Sequence, residues 1–327
     1  MADVTRGAVR NTGAVGDLRL LVNDAVFAVR AVLLCQRNGR VLVEAGDYPF
    51  RNLPGGALRT GETLARGAAR EWQEETGLPA GPLALAGLVE NFFTLKGRRW
   101  HELGVYYHVP APDALPVTAF RVADQAANHL EWTDPHAESG TPIYPTAALP
   151  LLGVPEGEFR HVIHHEGASV PGPDLRLDVH GTEVQVRVHL LCVQDGHLLT
   201  NTVPGSGFWF LPGGSVQLHE DSRSAAHREF FEETGVPAAS ARLVGLIEGF
   251  DPGRGRQQLG LCYLVEATGP LPSEGSRVRD AGQLAFQWVP LADLEARPVH
   301  PRGLSGLLDM PAGRVGHLME EWPVRPG

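Results

Sequence analysis

Lysine is almost missing from this chain: Lys96 is the only one among 327 residues, and arginine carries the rest of the basic charge. With abundant Ala, Pro and Gly beside it, the bias reads as gene composition rather than function. Basic charge is scarce overall, with 28 Lys and Arg against 38 Asp and Glu and a net charge of −10. Nonspecific duplex binding depends on basic side chains neutralising phosphates, so no nucleic acid partner is expected. Small anions are not excluded, because a bound divalent cation reverses the local field. The three cysteines, Cys35, Cys192 and Cys262, are too few and too scattered for a disulfide framework or a zinc cluster. Long apolar runs are lacking too: Val26 to Cys35 is interrupted by Arg30 and is far too short to span a bilayer. The first residues lack the features of a secretory signal, so the expected location is the cytoplasm, with no membrane partner. What remains, 43% hydrophobic and 20% charged, is a globular composition. The length suits two domains, each with its own core.

One string of residues occurs twice. Gly56, Glu62, Arg70-Glu71, Glu74-Glu75 and Gly77 return as Gly214, Glu220, Arg228-Glu229, Glu232-Glu233 and Gly235, at a constant step (214 − 56 = 158; 235 − 77 = 158). Each copy follows a Leu-Pro-Gly-Gly turn, 53–56 and 211–214. The repeat extends into the flanks. Val29 to Cys35 matches Val186 to Cys192, with hairpin turns Asn38-Gly39 and Asp195-Gly196 just beyond. Gly87-Leu88-Val89-Glu90 matches Gly245-Leu246-Ile247-Glu248, and Leu130-Glu131-Trp132 matches Phe286-Gln287-Trp288. A whole domain is therefore duplicated. The Gly- and Pro-rich stretch from Gly167 to Asp174 reads as the junction. The expected layout is a tail over 1–16, a first domain over 17–167, a linker over 168–182 and a second domain over 183–327.

Residues 63–76 and 221–234 are predicted helices. Thr63 and Asp221 are the expected N-caps, and Gly77 and Gly235 the stops, with Pro79 and Pro237 beyond. On such a helix Glu71, Glu74 and Glu75 share one face. Three like charges there repel, so something must compensate. An oxygen-rich set of this kind suits a hard cation such as Mg²⁺ or Mn²⁺ bridging to substrate phosphates. Arg70 is placed to orient a glutamate, and Glu229, Glu232, Glu233 and Arg228 repeat the arrangement. A solvated acidic face would explain one copy of Glu-x-x-Glu-Glu; seven fixed positions repeated in register argue for chemistry.

The pattern resembles the Nudix box, Gly-x5-Glu-x7-Arg-Glu-U-x-Glu-Glu-x-Gly-U, where U is bulky and apolar. Both copies fill every fixed position, with Trp72 and Phe230 at a U position that is usually aliphatic and an expected place in the core. The chain is similar to a tandem Nudix hydrolase. The resemblance implies an α/β fold of two tandem α/β/α sandwiches with mixed β-sheets, and metal-dependent hydrolysis of a nucleoside diphosphate linked to another group. It also implies metal ligands Glu71, Glu74 and Glu75, with Glu62 assisting and a carbonyl of Gly55 or Gly56; the counterparts are Glu229, Glu232, Glu233, Glu220 and Gly213 or Gly214. For the catalytic base, Glu71 and Glu229 beside Arg70 and Arg228 are candidates. Glu131 is another, confined to the first domain because Gln287 replaces it in the second. Glu90 and Glu248 read as solvent-facing strand residues or as candidates of the same kind.

Outside the box the copies diverge. The first has Asn91-Phe92-Phe93 and His101-Glu102; the second has Gly249-Phe250-Asp251-Pro252 and Gln257-Gln258. These aromatics are candidates for base stacking and equally for core packing. Pro252 is similarly placed to a marker of ADP-ribose pyrophosphatases in the family, a slight pointer for the second domain. The expected partner is a small nucleotide, and the two halves are candidates for an internal pseudo-dimer. The rival expectations are one catalytic domain with one structural or nucleotide-sensing domain, and a binding module without turnover; intact boxes in both copies weigh against the latter.

Overall fold

The computed structural model describes residues 9–11, 16–122, 128–137 and 140–321. The chain divides into two compact units between Ser169 and Val170. Each is a mixed α/β domain on a mixed sheet.

In the first domain the strand Ala25–Arg37 runs parallel to Arg98–Pro110. The latter forms a hairpin with Ala84–Leu95, which in turn pairs in parallel with Arg160–His165. The second domain repeats this with Thr182–Leu191, Arg256–Ala267, Ala238–Asp251 and Gly316–Glu321. The central strand is buried almost throughout, which is why it reads as a continuous Val, Leu and Ala run rather than an alternating one. Asn38 and Gly39, and Asp195 and Gly196, all adopt positive φ, as tight hairpins require. A smaller antiparallel pairing sets Arg40–Ala45 against His129–Thr133, and in the second domain His197–Thr202 against Ala285–Pro290.

The box helices form where the caps put them. α1 (Leu64–Thr76) starts at Thr63, whose side chain accepts from the Arg66 N–H, and α2 (Ser222–Thr234) starts at Asp221, which accepts from Ser224. Gly77 and Gly235 end them in the left-handed region, φ 73° and 76°. Trp72 and Phe230 are fully buried, as their apolar box positions require. The remaining helical layer among the described residues is thin: two 3₁₀ segments, Thr146–Gly153 and Leu291–Asp293, and a four-residue helix, Ser305–Leu308. Ala148 and Leu151 of Thr146–Gly153 close a core with Val32, Leu34, Val89 and Tyr106. Leu307 of Ser305–Leu308 does so with Val244 and Ile247. Among the described residues no helix is long and apolar enough to cross a membrane. All three cysteines are free and buried, and burial pushes the Cys35 and Cys192 thiols up to about 12 and about 11.

Tail and linker are shorter than their composition implies. Val9–Asn11 pairs with Arg19–Val22, which itself borders the central strand, so part of 1–16 belongs to the sheet. Arg176–Val179 pairs with Thr182–Leu191, and Gly172 and Leu175 donate to the Leu218 and Val216 carbonyls at 2.7 and 2.8 Å. Gly and Pro report local breaks in regular structure; they do not report the main-chain bonds that tie such a segment to its neighbours.

Candidate active site

The Leu-Pro-Gly-Gly turn and the box helix converge through a hydrogen-bond web that is the same in both domains. Arg70 is its hub. Its Nε donates to Glu62 at 2.8 Å, Nη1 to Glu71 and Glu74 at 2.6 and 3.0 Å, and Nη2 to Glu62 and the Ala57 carbonyl at 3.0 and 2.9 Å. Arg228 binds Glu220, Glu229, Glu232 and the Ser215 carbonyl in the same way. A planar five-donor fork serves three carboxylates where a lysine could not. This is the compensation that the acidic helix face demanded.

The two glycines have different duties. Gly55, at φ 134°, lies where a Cβ would come within 2.3 Å of the Ala31 carbonyl oxygen, so the backbone itself excludes any side chain. At Gly56 a Cβ would meet the Glu71 carboxylate at 2.4 Å, and at Gly214 the Glu229 carboxylate at 2.2 Å. Gly55→Ala is therefore expected to destabilise the domain, whereas Gly56→Ala displaces only the movable end of Glu71. The expected result for Gly56→Ala is a melting temperature close to the parent's with loss of first-domain turnover; equal destabilisation by both changes would refute this division of roles.

Glu75 reaches back under the turn and accepts from the Gly55 N–H at 2.9 Å, and Glu233 from Gly213 at 3.1 Å. Burial pushes the Glu75 carboxyl up to about 8, helped by the neighbouring Glu44 and Glu71 charges, and that of Glu233 up to about 7, with Asp280 and Glu229 contributing. Burial also raises Glu71 and Glu229. Glu75 Oε2 is a buried acceptor with no hydrogen-bond partner, and so is Asn201 Oδ1 beside Glu233. Crowded hard oxygens with an orphaned acceptor fit Mg²⁺ or Mn²⁺. A raised acid pKa also fixes a sign. Between the ordinary value of 4.5 and about 8 the folded chain keeps a proton on Glu75 that the unfolded chain has lost. That contribution to stability is therefore present in acid, declines as pH rises through this window and is level above it. Melting curves of the metal-free protein should show it. Added Mg²⁺ should raise the melting temperature more at pH 8 than at pH 6, since the ion displaces the proton.

The structure does not bring Glu131 to this cluster. It is ion-paired with Arg51 and lies opposite Val43, whereas the side chain that acts on Glu75 is the next along that strand, Glu44. Successive strand residues point to opposite faces, so Glu131 is turned away. Glu90 and Glu248, read as solvent-facing, are instead buried and hydrogen-bonded to His161 and His317, each at 2.7 Å. The other strand histidines take separate faces: His164 meets Asn91 at 2.9 Å, and His165 stacks on Phe92.

Three residues absent from the sequence reading belong to the cluster. Glu44 and Asn201 are repeat equivalents (201 − 44 = 157), the latter donating to Glu233 at 3.0 Å. Asp280 places a carboxylate oxygen within 4.8 Å of those of Glu229 and Glu232. The signal was present: Arg277-Val278-Arg279-Asp280 repeats Arg121-Val122-Ala123-Asp124 at a step of 156 (280 − 124 = 156), although Asp124 lies outside the described residues.

The NUDIX domain profile matches residues 25–147 and again 183–309. The chain belongs to the Nudix family, twice over. The diphosphoinositol polyphosphate phosphohydrolase 2 of Rattus norvegicus is 38% identical over 58 residues, 18% of this chain and 32% of that protein, so the chain spans about a third of that curated relative. Similar solved structures include a MutT protein of Bacillus halodurans, 17% identical over 42% of this chain and 90% of that one at a TM-score of 0.35. A MutT Nudix hydrolase of Burkholderia pseudomallei is 26% identical over 39% and 98%, at 0.33.

Proposed function

We propose that each Nudix domain hydrolyses a diphosphate bond in a nucleoside diphosphate derivative with Mg²⁺ or Mn²⁺, in the cytoplasm. The observation that carries this reading is the orphaned, proton-holding Glu75 beneath the Gly-Gly turn, with Arg70 tying the other box carboxylates around it. The name of the rat relative likewise describes a phosphohydrolase of a diphosphate compound. Glu71, Glu74 and Glu75 would hold the ion in the first domain and Glu229, Glu232 and Glu233 in the second, with Gly56 and Gly214 keeping space for the first carboxylate of each set. When bound, the ion supplies charge neutralisation for the diphosphate and a lowered pKa for water.

The protein's own contribution is orientation. Arg70 and Arg228 fix the first box carboxylate at 2.6 Å, so Glu71 and Glu229 are held in one pose rather than searching rotamers. Proton acceptance falls to a carboxylate at the cluster, Glu71 or Glu44 in the first domain and Glu229 or Asp280 in the second. Asp280→Asn should lower second-domain turnover by about tenfold to a hundredfold while leaving the first domain unchanged, an effect the size of losing an outer-shell partner. The reading as a whole is tested by screening nucleotide diphosphate derivatives against the full chain with Mg²⁺, with Mn²⁺ and with chelator. Release of monophosphate that stops with chelator is expected; nucleotide binding without turnover under either metal would replace the hydrolase with a binding module.

A further inference from the structure

The residues that differ most between the two domains do not scatter. In the first domain Ala28 pairs with Glu102, Glu102 with Asn91 and Asn91 with His164, so these lie side by side across the sheet on one face. Two residues along, about 7 Å, the same face carries Phe93 opposite Trp100, stacked at 5.5 Å and both half-buried. This face is continuous with the active site. Arg30 donates to the Gly55 carbonyl at 2.8 Å and lies 3.6 Å from Glu102. The intervening Phe92 is on the opposite face, packed between His101 and His165, and is core. The sequence run Asn91-Phe92-Phe93 is thus split by the pleat into one core residue and two on the face beside the box, Asn91 buried there against His164 and Phe93 half-buried.

The second domain keeps the register and changes the chemistry. Gly249 pairs with Gln258 where Asn91 pairs with Glu102, and Asp251 pairs with Arg256 where Phe93 pairs with Trp100. Arg256 is tied to Glu183 at 2.9 Å, and Gln258 lies 3.0 Å from His189. An aromatic ledge with a carboxylate and a carboxamide has become a row of ion pairs and amides. Arg187 retains the place of Arg30, donating to the Gly213 carbonyl at 2.8 Å, so the phosphate end is common to both.

We propose that the first domain selects its substrate by the nucleobase, through Phe93 and Trp100 with Asn91 and Glu102, and that the second gains no affinity from the base and reads instead the polar group beyond the diphosphate. This rests on the reading of both domains as diphosphate hydrolases. A base offers a π face to the aromatic pair and amino or ring N–H donors to Glu102, with Asn91 able to donate and accept. Asp251, Arg256 and Gln258 offer hydroxyl- and anion-binding groups and no stacking surface.

The test uses the full chain with Mg²⁺ and two probes that share a non-hydrolysable diphosphate: adenosine 5′-(α,β-methylene)diphosphate and base-free methylene diphosphonate. With the second site silenced by Glu233→Gln, Trp100→Ala should weaken the nucleoside probe by about tenfold or more, the scale of one lost stacking contact, and leave the diphosphonate unchanged. Trp100→Phe should restore most of the loss. With the first site silenced by Glu75→Gln, the two probes should bind equally. A cross-strand aromatic pair also stabilises a hairpin, so the base-free probe is the control. Equal weakening of both probes by Trp100→Ala, or no weakening of either, overturns the proposal while leaving the hydrolase reading intact. Failure of the unmutated chain to bind either probe overturns both.

Discussion

Glu75→Gln is expected to remove first-domain hydrolysis by about a thousandfold or more, and Glu233→Gln to do the same in the second. An amide keeps the volume and can still meet the turn N–H, but it supplies no negative charge to a divalent ion. Metal stabilisation of a developing phosphoryl charge amounts to several kcal/mol, and each 1.4 kcal/mol is a factor of ten in rate. The fold should survive, because the neutral amide replaces a carboxyl that burial already holds protonated up to about pH 8 in Glu75. Steady-state assays of both single variants and the double variant decide how the halves are used. Two distinct activities, each lost with its own glutamate, mean two enzymes on one chain. If one substitution abolishes all turnover, the other domain is a scaffold or a nucleotide sensor.

Arg70→Ala should cost stability as well as activity. It removes five hydrogen bonds at once and leaves Glu62, Glu71 and Glu74 facing one another with only the half-exposed Arg59, 3.3 Å from Glu74, still paired to one of them. Breaking a buried ion network by removing one partner costs about 3–5 kcal/mol, and the lower end applies here because Glu74 is a third exposed. For a domain of this size that corresponds to a drop of roughly 6–12 °C in melting temperature. Excess Mg²⁺ should recover part of the loss, since an ion that binds only the folded state stabilises it by mass action. A melting temperature unmoved by Arg70→Ala would mean that the carboxylates relax into solvent and that Arg70 is not a structural hub.

Much of this was legible before any coordinates because the decisive signals are local or repeated. Cap residues act within one turn, so Thr63, Asp221, Gly77 and Gly235 bound their helices where their chemistry dictates. The box spacing places its carboxylates on one helical face, and duplication in register separates that chemistry from a solvated acidic stripe. Asn38-Gly39 and Asp195-Gly196 specify their hairpins through positive φ alone. The duplicated Nudix assignment therefore needed only sequence.

Tertiary structure decided what depends on side-chain direction across strands. Glu131 and Glu44 belong to paired strands of the first domain's sheet, and only the pairing register shows that the Glu44 charge acts on Glu75 while Glu131 turns to Arg51. Phe92 and Phe93 are adjacent letters, but the pleat sends one into the core and the other to the face beside Arg30. Asp280 reaches α2 from a segment far along the chain, a contact that no helical or strand period encodes. Glu90 reads as a surface residue until its partner His161 arrives on a strand some seventy residues later. Sequence fixes periodicity and local caps; which faces meet is settled when distant strands pair and close on one another, because that pairing alone selects the side of the sheet on which each alternate residue falls.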